Sequence, residues 1–202
     1  AGQNAKASAA PAIPAGPERK AWLSDFRTSY LERDLADLGR VSDLDRFAQA
    51  QKLIAARTAC LFSAAEVSRD LGVSLPTLQR YLRFLEISYQ VFLLPPFHAN
   101  ATKRLVKHPK LYWGDPGMAR FLTARDGMED GAIYETHVLN EILRWRSARE
   151  DPMGLFFYRT HGGLEGDFLL RSSQRALWIE ARSARRVGPA DASVLRRVMA
   201  ET

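Results

Sequence analysis

Two carboxylates and a guanidinium lie close together in a pair of short apolar segments late in the chain. Asp167 belongs to the first segment (residues 165–170), and Glu180 and Arg182 belong to the second (residues 177–182). Side chains two positions apart on a β-strand point to the same face of a sheet, so Glu180 and Arg182 share a face. If the two segments pair as a hairpin, Asp167 lies opposite and the three groups meet at one end of a small sheet. This layout is typical of a Mg²⁺-dependent phosphodiesterase, in which carboxylates hold the metal that activates water.

A third carboxylate precedes the hairpin on a predicted helix. Glu135 lies at the edge of an apolar stripe in that helix, and a predicted strand, Leu155–Arg159, follows. The order helix, strand, strand, strand therefore places an acidic helix beside the hairpin. The candidate catalytic residues of this predicted nuclease site are Glu135, Asp167, Glu180 and Arg182, with Asp167 and Glu180 as candidate ligands for Mg²⁺ or Mn²⁺.

The guanidinium of Arg182 leaves a second interpretation open. Sites of this layout usually carry lysine, whereas arginine stays protonated and forks onto carboxylates. Arg182 can therefore pair with Glu180 at a charged sheet end, or clamp both acidic residues and fill the metal position. Both arrangements argue against hydrolysis, so the hairpin is either an active nuclease site or an inactive site of the same shape.

The size and charge of the chain limit the classes of protein to which it can belong. Its 202 residues are 46% hydrophobic, which is enough for one or two domains with a core. Its net charge of +6 is compatible with an anionic partner such as double-stranded DNA but specifies none. The single cysteine, Cys60, excludes an internal disulfide and a cysteine-based zinc site. It lies in an apolar segment that is predicted to be helical and buried.

Motifs and targeting segments of several other classes are absent from the sequence. It has no Gly-rich loop ending in Gly-Lys-Ser/Thr, so no ATP site is predicted in this chain. It has no apolar run long enough to cross a membrane and no basic-then-apolar signal pattern at its N-terminus. The expectation is a cytoplasmic protein without a membrane partner.

The N-terminal part of the chain is predicted to pass from a linker into helices. Residues 1–19 are rich in Ala, Pro and Gly and are predicted to be a disordered linker. Apolar periodicity predicts one helix from Ala21 to Arg40 and another from Asp43 towards Leu61.

A helix-turn-helix pattern follows these helices. Ser63 and Glu66 have the spacing of a capping box, Gly72 can end the short helix, and Pro76 lies in the first turn of the next one. An apolar strand then ends at Pro95. A helix-turn-helix followed by strands is the pattern of a winged helix. The second helix of a helix-turn-helix can lie in the major groove of DNA.

Two sets of polar residues are candidates for contact with DNA. They are Thr77, Gln79, Arg80 and Arg83 on the second helix, and Lys103, Arg104, Lys107 and Lys110 in a basic stretch, residues 102–112. These residue types contact bases or phosphates. Two alternatives stay open: the helix-turn-helix is a folding or docking module, and the basic stretch is an exposed sheet edge guarded by lysines instead of a wing.

Eight segments of the chain carry a family resemblance. They are Tyr30–Leu35, Leu53–Thr58, Leu94–Phe97, Lys103–Tyr112, Gly131 with Glu135, Tyr158–Thr160, Glu165–Phe168 and Ile179–Arg182. On these residues the chain resembles the uncharacterised C-terminal region of predicted prokaryotic AAA-type ATPases. It departs from that family's pattern at Gly166, where a branched apolar residue is usual, and at Arg182, where lysine is usual.

The resemblance implies both a fold and a partner. The fold is α+β, with a helical winged-helix domain (residues 20–126) and a small restriction-endonuclease-like α/β domain with a mixed sheet (residues 127–202), predicted to be truncated. The partner is an ATPase domain upstream in the full-length protein. The predicted function is a DNA-associated accessory region of an AAA-type ATPase with an inactive nuclease-like domain. The alternatives are an active Mg²⁺- or Mn²⁺-dependent DNA nuclease and a protein-interaction module.

Overall fold

The computed structural model has an α+β fold, as the sequence predicts, with seven helices and six strands in its described residues. Those residues are 18–29, 43–98, 106–124, 130–149, 153–184, 186, 188 and 192–201. The chain divides into two compact units, residues 1–44 and 45–202. The first unit contributes helix α1 (Glu18–Ser29), in which the rings of Trp22 and Phe26 stack.

Several predicted features lie outside the described residues. They are residues 1–17 of the predicted linker, residues 30–40 of the first predicted helix, and the DNA-contact candidates Lys103 and Arg104. The last two residues of the predicted linker, Glu18 and Arg19, belong to α1, so that prediction is wrong at its end. Within the described ranges, no helix has both the length and the apolar character needed to cross a membrane.

Helix α2 (Leu44–Ala55) ends earlier than its apolar stripe predicts. Ala59 has a φ of 59°, a left-handed backbone conformation through which a right-handed helix cannot continue. The chain then forms the two-residue strand β1 (Cys60–Leu61), and the side chain of Cys60 is exposed. The prediction that Cys60 lies buried in a helix is therefore wrong.

Capping residues set the bounds of the next two helices, as predicted. The backbone N–H of Glu66 donates to Ser63 Oγ at the start of α3 (Ala64–Leu71). Gly72 ends α3 with a φ of 70°, a conformation that glycine adopts without steric cost. Helix α4 (Leu75–Ile87) follows, with a proline in its first turn. The predicted helix-turn-helix segment is thus two helices joined by a tight, Gly-containing turn.

A three-stranded antiparallel sheet packs with these helices. Strands β2 (Val91–Leu94) and β3 (Lys110–Trp113) join β1 in the order β1-β3-β2. Strand β3 is the middle strand, and all four of its residues are buried. The end of the basic stretch, residues 110–112, is therefore neither a wing nor an exposed edge, because strands flank it on both sides.

The rest of the chain adds three helices and a second sheet. These elements are α5 (Pro116–Thr123), α6 (Asp130–Ser147), β4 (Gly154–Arg159), β5 (Glu165–Arg171), β6 (Ala176–Ile179) and α7 (Ser193–Glu201), counting α7 as the last helix. Strands β5 and β6 form the predicted hairpin, in which Phe168 pairs with Ile179. The described strands of this sheet pair antiparallel in the order β4-β5-β6, so the prediction of a mixed sheet within residues 127–202 is wrong.

A parallel bridge between Pro96 and Phe157 joins the two sheets. The N–H of Phe157 donates to Pro95 O (3.1 Å), and its carbonyl accepts from the N–H of Phe97 (2.6 Å). The buried core on this side draws on both sheets and on α6: Leu94, Tyr112, Leu139, Ile142, Leu155, Phe157, Phe168 and Leu170. One core therefore continues across the position at which the sequence predicts a domain boundary.

Helix α7 packs on the second sheet through its buried residue Val198, which contacts Tyr158 and Trp178. A Cβ on Gly166 would lie 3.0 Å from the Trp178 ring and 3.4 Å from Val198. The space that a branched residue would need at position 166 is thus filled by the Trp178 ring. This packing gives a physical reason for the departure at Gly166.

Candidate functional site

A β-bulge in β5 sets the direction of Asp167. The pairing between β4 and β5 shifts register, so that Phe157 faces two residues of β5, Asp167 and Phe168. Bulges of this kind re-aim side chains and are common beside functional sites. Phe168 enters the core shared with α6, and Asp167 Oδ1 lies 3.8 Å from Lys110 Nζ on β3. The bulge therefore brings the candidate catalytic aspartate to the first sheet.

The ammonium of Lys110 lies among three carboxylates. Its Nζ is 2.5 Å from Glu165 Oε1 and 2.9 Å from Glu135 Oε1, in addition to its contact with Asp167. Lys110 is only 3% exposed, so its charge depends on these partners instead of on water. Burial alone would lower the pKa of Lys110, but the carboxylates of Glu135 and Glu165 outweigh that effect and raise it. Lys110 is therefore a charged cation at the centre of the cluster.

Strand β3 and helix α6 hold Glu135 in place. The hydroxyl of Tyr112 donates to Glu135 Oε1 (2.5 Å). The N–H of Trp113 donates to Thr58 Oγ1 (3.0 Å), which lies 2.9 Å from Thr136 Oγ1 in a buried pair of hydroxyls. Because Thr136 is the residue after Glu135, these hydrogen bonds anchor the turn of α6 that carries the carboxylate.

Arg182 contacts one end of the cluster. Its Nη2 lies 3.2 Å from Glu180 Oε1, whereas Asp167 Oδ2 accepts the backbone N–H of Ala181 (2.9 Å). The structure therefore has the predicted pairing of Arg182 with Glu180. The prediction that Arg182 fills the metal position is wrong, since Lys110 is the cation that lies among the carboxylates.

The three candidate catalytic carboxylates lie close enough to affect one another's pKa. Burial raises the pKa of Glu180 to about 7, together with the Asp167 carboxylate and against Arg182. Burial also raises the pKa of Asp167 and of Glu135, against the opposing effect of Lys110. Glu180 Oε2 is buried and has no hydrogen-bond partner within the described residues. Sequence reasoning thus selected carboxylates that the fold does bring together.

Glu180→Gln is expected to stabilise the protein at about pH 8 and to have little effect at about pH 4, below both the folded and the unfolded pKa. Because the folded pKa of about 7 lies above the ordinary value of 4.5, the folded state binds the extra proton between these values. Stability therefore falls as the pH rises through that window, and the glutamine removes this loss. With allowance for solvent screening, the expected gain is about 1 kcal/mol.

Urea unfolding of the unchanged protein and of Glu180→Gln at the two pH values measures the difference in their free energies of unfolding. The exposed Glu141→Gln serves as the control, because its carboxylate lies at the surface beside Arg144. A stability difference for Glu180→Gln that is the same at both pH values would contradict the raised pKa.

The cluster does not fit Mg²⁺ or Mn²⁺ while Lys110 occupies its centre. The ammonium stands where the carboxylates of Glu135, Glu165 and Asp167 meet, which is where a bound cation would lie. A divalent ion about 4 Å from an ammonium is repelled by roughly 8 kcal/mol at an effective dielectric constant of about 20. Among the described residues, no three His, Cys, Asp or Glu side chains are arranged to hold a metal ion. Metal binding by Asp167 and Glu180 stays a prediction.

The DNA-contact candidates on α4 are presented to solvent with one exception. Gln79, Arg80 and Arg83 are exposed. Thr77 is half-buried, and its hydroxyl lies 2.8 Å from the Oγ of the capping residue Ser74. Thr77 therefore contributes to the start of the helix, and the other three side chains form the free face of α4.

The basic stretch is divided between the surface and the core. Lys107 is exposed, whereas Lys110 is buried among carboxylates, so the prediction that Lys110 contacts DNA is wrong. The chain before β3 is also tied to the second sheet, because the N–H of Val106 donates to Arg159 O (3.3 Å).

Sequence reasoning missed three members of the cluster: Lys110 as its cation, Tyr112 and Glu165. A signal was present for two of them, because Lys110 and Tyr112 alternate with Leu111 and Trp113 on one strand and so share a face. No sequence pattern pointed to Glu165. Its Oε1 pairs with Lys110 and its Oε2 pairs with Arg159 Nη1 (3.1 Å), and both contacts depend on the tertiary structure.

Two family models match this chain, one after the other along the sequence. Residues 12–129, more than half of the chain, match the model of a family described as "Domain of unknown function (DUF8612)". The chain belongs to this family. Residues 130–201 match a second model, described as "Domain of unknown function (DUF4143)". The site therefore crosses both matched regions, because Lys110 and Tyr112 come from the DUF8612 region and the carboxylates come from the DUF4143 region.

Two curated relatives of the chain are described as uncharacterized proteins. They are proteins of Mycobacterium tuberculosis and Mycobacterium bovis, each 33% identical to this chain over 172 residues, which is 80% of the chain. The chain spans 37% of the length of each relative. No solved structure matches the chain significantly.

Proposed function

We propose that this DUF8612 chain is a DNA-associated accessory region of an AAA-type ATPase, acting in the cytoplasm with an inactive nuclease-like site. The position of Lys110 carries the second half of this proposal. Its ammonium lies within 3 Å of both Glu135 and Glu165, so the cluster already holds a positive charge. The association with an ATPase rests on the resemblance of the sequence and concerns the longer protein.

The topology of the first sheet supports a DNA-binding role for α4. Elements α2, β1, α3, α4, β2 and β3 follow one another in the order of a winged helix, and β3 lies between β1 and β2. In a helix-turn-helix the second helix lies in the major groove. Here that helix is α4, whose Gln79, Arg80 and Arg83 are exposed and of types that contact bases and phosphates.

Arg80→Gln combined with Arg83→Gln is expected to weaken binding to duplex DNA about tenfold at about 0.15 M salt, since two phosphate contacts are lost. The slope of log K against log salt concentration is expected to fall by about 2. Fluorescence anisotropy with a labelled duplex at several salt concentrations measures both quantities.

A matched control removes two exposed arginines at the C-terminal end of α6 and just beyond it, Arg144→Gln with Arg149→Gln, and so has the same net charge. It is expected to keep duplex affinity within about twofold. Equal losses in both double variants would mean that overall charge accounts for binding, and absent or salt-insensitive binding by the unchanged chain would remove the proposal.

An active Mg²⁺- or Mn²⁺-dependent nuclease is the alternative, and one observation favours it. Glu180 Oε2 is buried without a hydrogen-bond partner in the described residues, which leaves an oxygen for a further ligand. The same duplexes incubated with each metal decide between the two. Cleavage that Asp167→Ala abolishes supports the nuclease, and intact duplex supports the inactive site.

A protein-interaction module is favoured by a different surface. A groove of about 590 Å³ runs along α6 and β6, and three exposed apolar side chains line it: Tyr134, Trp145 and Leu177. Exposed apolar surface of this kind is common at protein interfaces. DNA binding that is unaffected by the α4 variant, together with loss of partner ATPase binding on Trp145→Ala, would support this function over the first.

A further inference from the structure

The hairpin turn between β5 and β6 forms a second pocket with no acidic residue among the described residues that line it. The cavity has a volume of about 240 Å³ and lies beside the turn residues 172–175. Two arginines, Arg171 and Arg175, stand at its sides, and Phe97 and Trp178 supply aromatic walls. We infer that this pocket, here called the turn pocket, binds the phosphate group of a nucleotide.

The charge of the turn pocket favours an anion. Arg159 and Arg182 are paired with carboxylates, whereas Arg171 and Arg175 have no carboxylate partner among the described residues. Two guanidinium groups and the hydroxyl of Ser173, which also lines the cavity, provide donors of the kind that recognise a phosphate. The charged side chains of the turn pocket are therefore positive, whereas most of those in the carboxylate cluster are negative.

The turn itself is rigid, which reduces the entropy lost on binding. Ser172 Oγ accepts the N–H groups of Gln174 (3.3 Å) and Arg175 (3.2 Å), and the N–H of Ser172 donates to Arg175 O (2.9 Å). The guanidinium of Arg171 lies over the Phe97 ring, 4.8 Å from its centroid. The turn backbone and the Arg171 guanidinium are thus held near the cavity before a ligand arrives, and such preorganisation increases affinity.

The size and walls of the turn pocket select the kind of phosphate. A partly open cavity of about 240 Å³ has room for a single phosphate-bearing group but not for a duplex. Trp178 is half-buried and holds its ring edge-to-face with Tyr158, so its indole forms a fixed apolar surface. A base is flat and stacks on such surfaces. The ligand is therefore a nucleotide phosphate, either free or at the end of a single strand.

Calorimetric titration of the full chain with a thymidine monophosphate and with a 5′-phosphorylated oligothymidylate tests this inference and separates the two sources. We expect saturable binding of at least one of them. Arg171→Gln with Arg175→Gln is expected to weaken it at least about tenfold, as expected for loss of charge-assisted hydrogen bonds. The double variant Arg69→Gln with Arg144→Gln, with the same net charge, is expected to bind within about twofold of the unchanged chain.

Tryptophan fluorescence locates the ligand. Binding is expected to change the emission, and Trp178→Phe is expected to abolish that change while the other tryptophans remain. Absence of saturable binding, equal affinity in the Arg171/Arg175 variant, or a fluorescence change that persists in Trp178→Phe would each overturn the inference. It does not rest on duplex binding by α4, so Arg80→Gln with Arg83→Gln is expected to leave nucleotide affinity unchanged.

Discussion

Lys110→Met is expected to lower the free energy of unfolding by about 3–5 kcal/mol at about pH 7, the largest effect of any charge removal in this chain. Methionine fills a similar volume but leaves the mostly buried Glu135 carboxylate without a cation and Glu165 paired only with Arg159. Both carboxylates lie within 3 Å of the ammonium in the unchanged protein. The loss reflects uncompensated buried charge, which costs more than the ion pair itself contributes.

The pH dependence of this loss follows from the same cause. Without the ammonium, the folded-state pKa of Glu135 and of Asp167 rises further above the unfolded value, because Lys110 is the largest of the influences that oppose burial. A raised carboxyl pKa means that stability falls as pH increases. The deficit of Lys110→Met is therefore expected to be largest above neutral pH and to shrink towards about pH 4–5.

Urea unfolding across this pH range measures the deficit, with Lys107→Met as the matched control. Lys107 is exposed, so its replacement is expected to change stability by less than about 0.5 kcal/mol. If Lys110→Met is insoluble at neutral pH, its recovery in acid is the measurement. Equal stability of both lysine variants would show that the ammonium does not lie in the cluster.

The same variant tests the proposal that Lys110 keeps a nuclease-like site inactive. If Lys110 takes the place of a metal ion, Mn²⁺ is expected to stabilise Lys110→Met by binding the vacated cluster, since a ligand that binds the folded state raises its stability. The unchanged protein is expected to show no such shift. Stabilisation of both proteins to the same extent would mean that Lys110 does not block the metal.

Phe157→Ala is expected to lower the free energy of unfolding by about 3–5 kcal/mol through the cavity that it leaves. Phe157 is fully buried in the core shared by the two sheets, and its backbone bonds join β4 to Pro95 and Phe97. This core contains residues from both family regions. We therefore expect residues 45–202 to unfold in a single transition, and Phe157→Ala to lower the midpoint of that whole transition.

Thermal and urea unfolding, followed by far-ultraviolet circular dichroism and by tryptophan fluorescence, measure this cooperativity. Phe156→Ala is the matched control on the same strand, and its half-buried ring is expected to contribute less. Two separate transitions, of which Phe157→Ala shifts one, would show that the DUF8612 and DUF4143 regions fold independently.

The local features of the fold were predictable because they depend on residues close in sequence. Ser63 and Gly72 bound α3 as their capping preferences indicate, and β5 and β6 pair as two apolar segments around a polar turn should. The proximity of Asp167 to Glu180 also follows from this pairing, since Phe168 pairs with Ile179 one position away.

Features that depend on distant contacts were not predictable in this way. Lys110 follows several other basic residues in the sequence, which is typical of an exposed lysine. It is buried because β3 is the middle strand of its sheet, and that position depends on contacts with β1 and β2. The Glu135 partner of Lys110 is 25 residues away. The apolar stripe that runs past Ala55 gave no sign of the helix end, because the positive φ at Ala59 lies in the turn between α2 and β1.

The carboxylates near the hairpin show what the sequence determined and what the tertiary structure determined. The sequence by itself determined that Asp167 and Glu180 would meet at one end of a two-stranded hairpin, because the pairing of two apolar segments around a polar turn is a local property. The predicted strand is too long at its end, since β6 stops at Ile179 and Glu180 and Arg182 lie beyond it. The tertiary structure decided which cation compensates the carboxylates. Docking of β3 against the bulge in β5 places Lys110 among them and leaves Arg182 paired with Glu180 at the rim, since a buried charge must find its partner across the packed core.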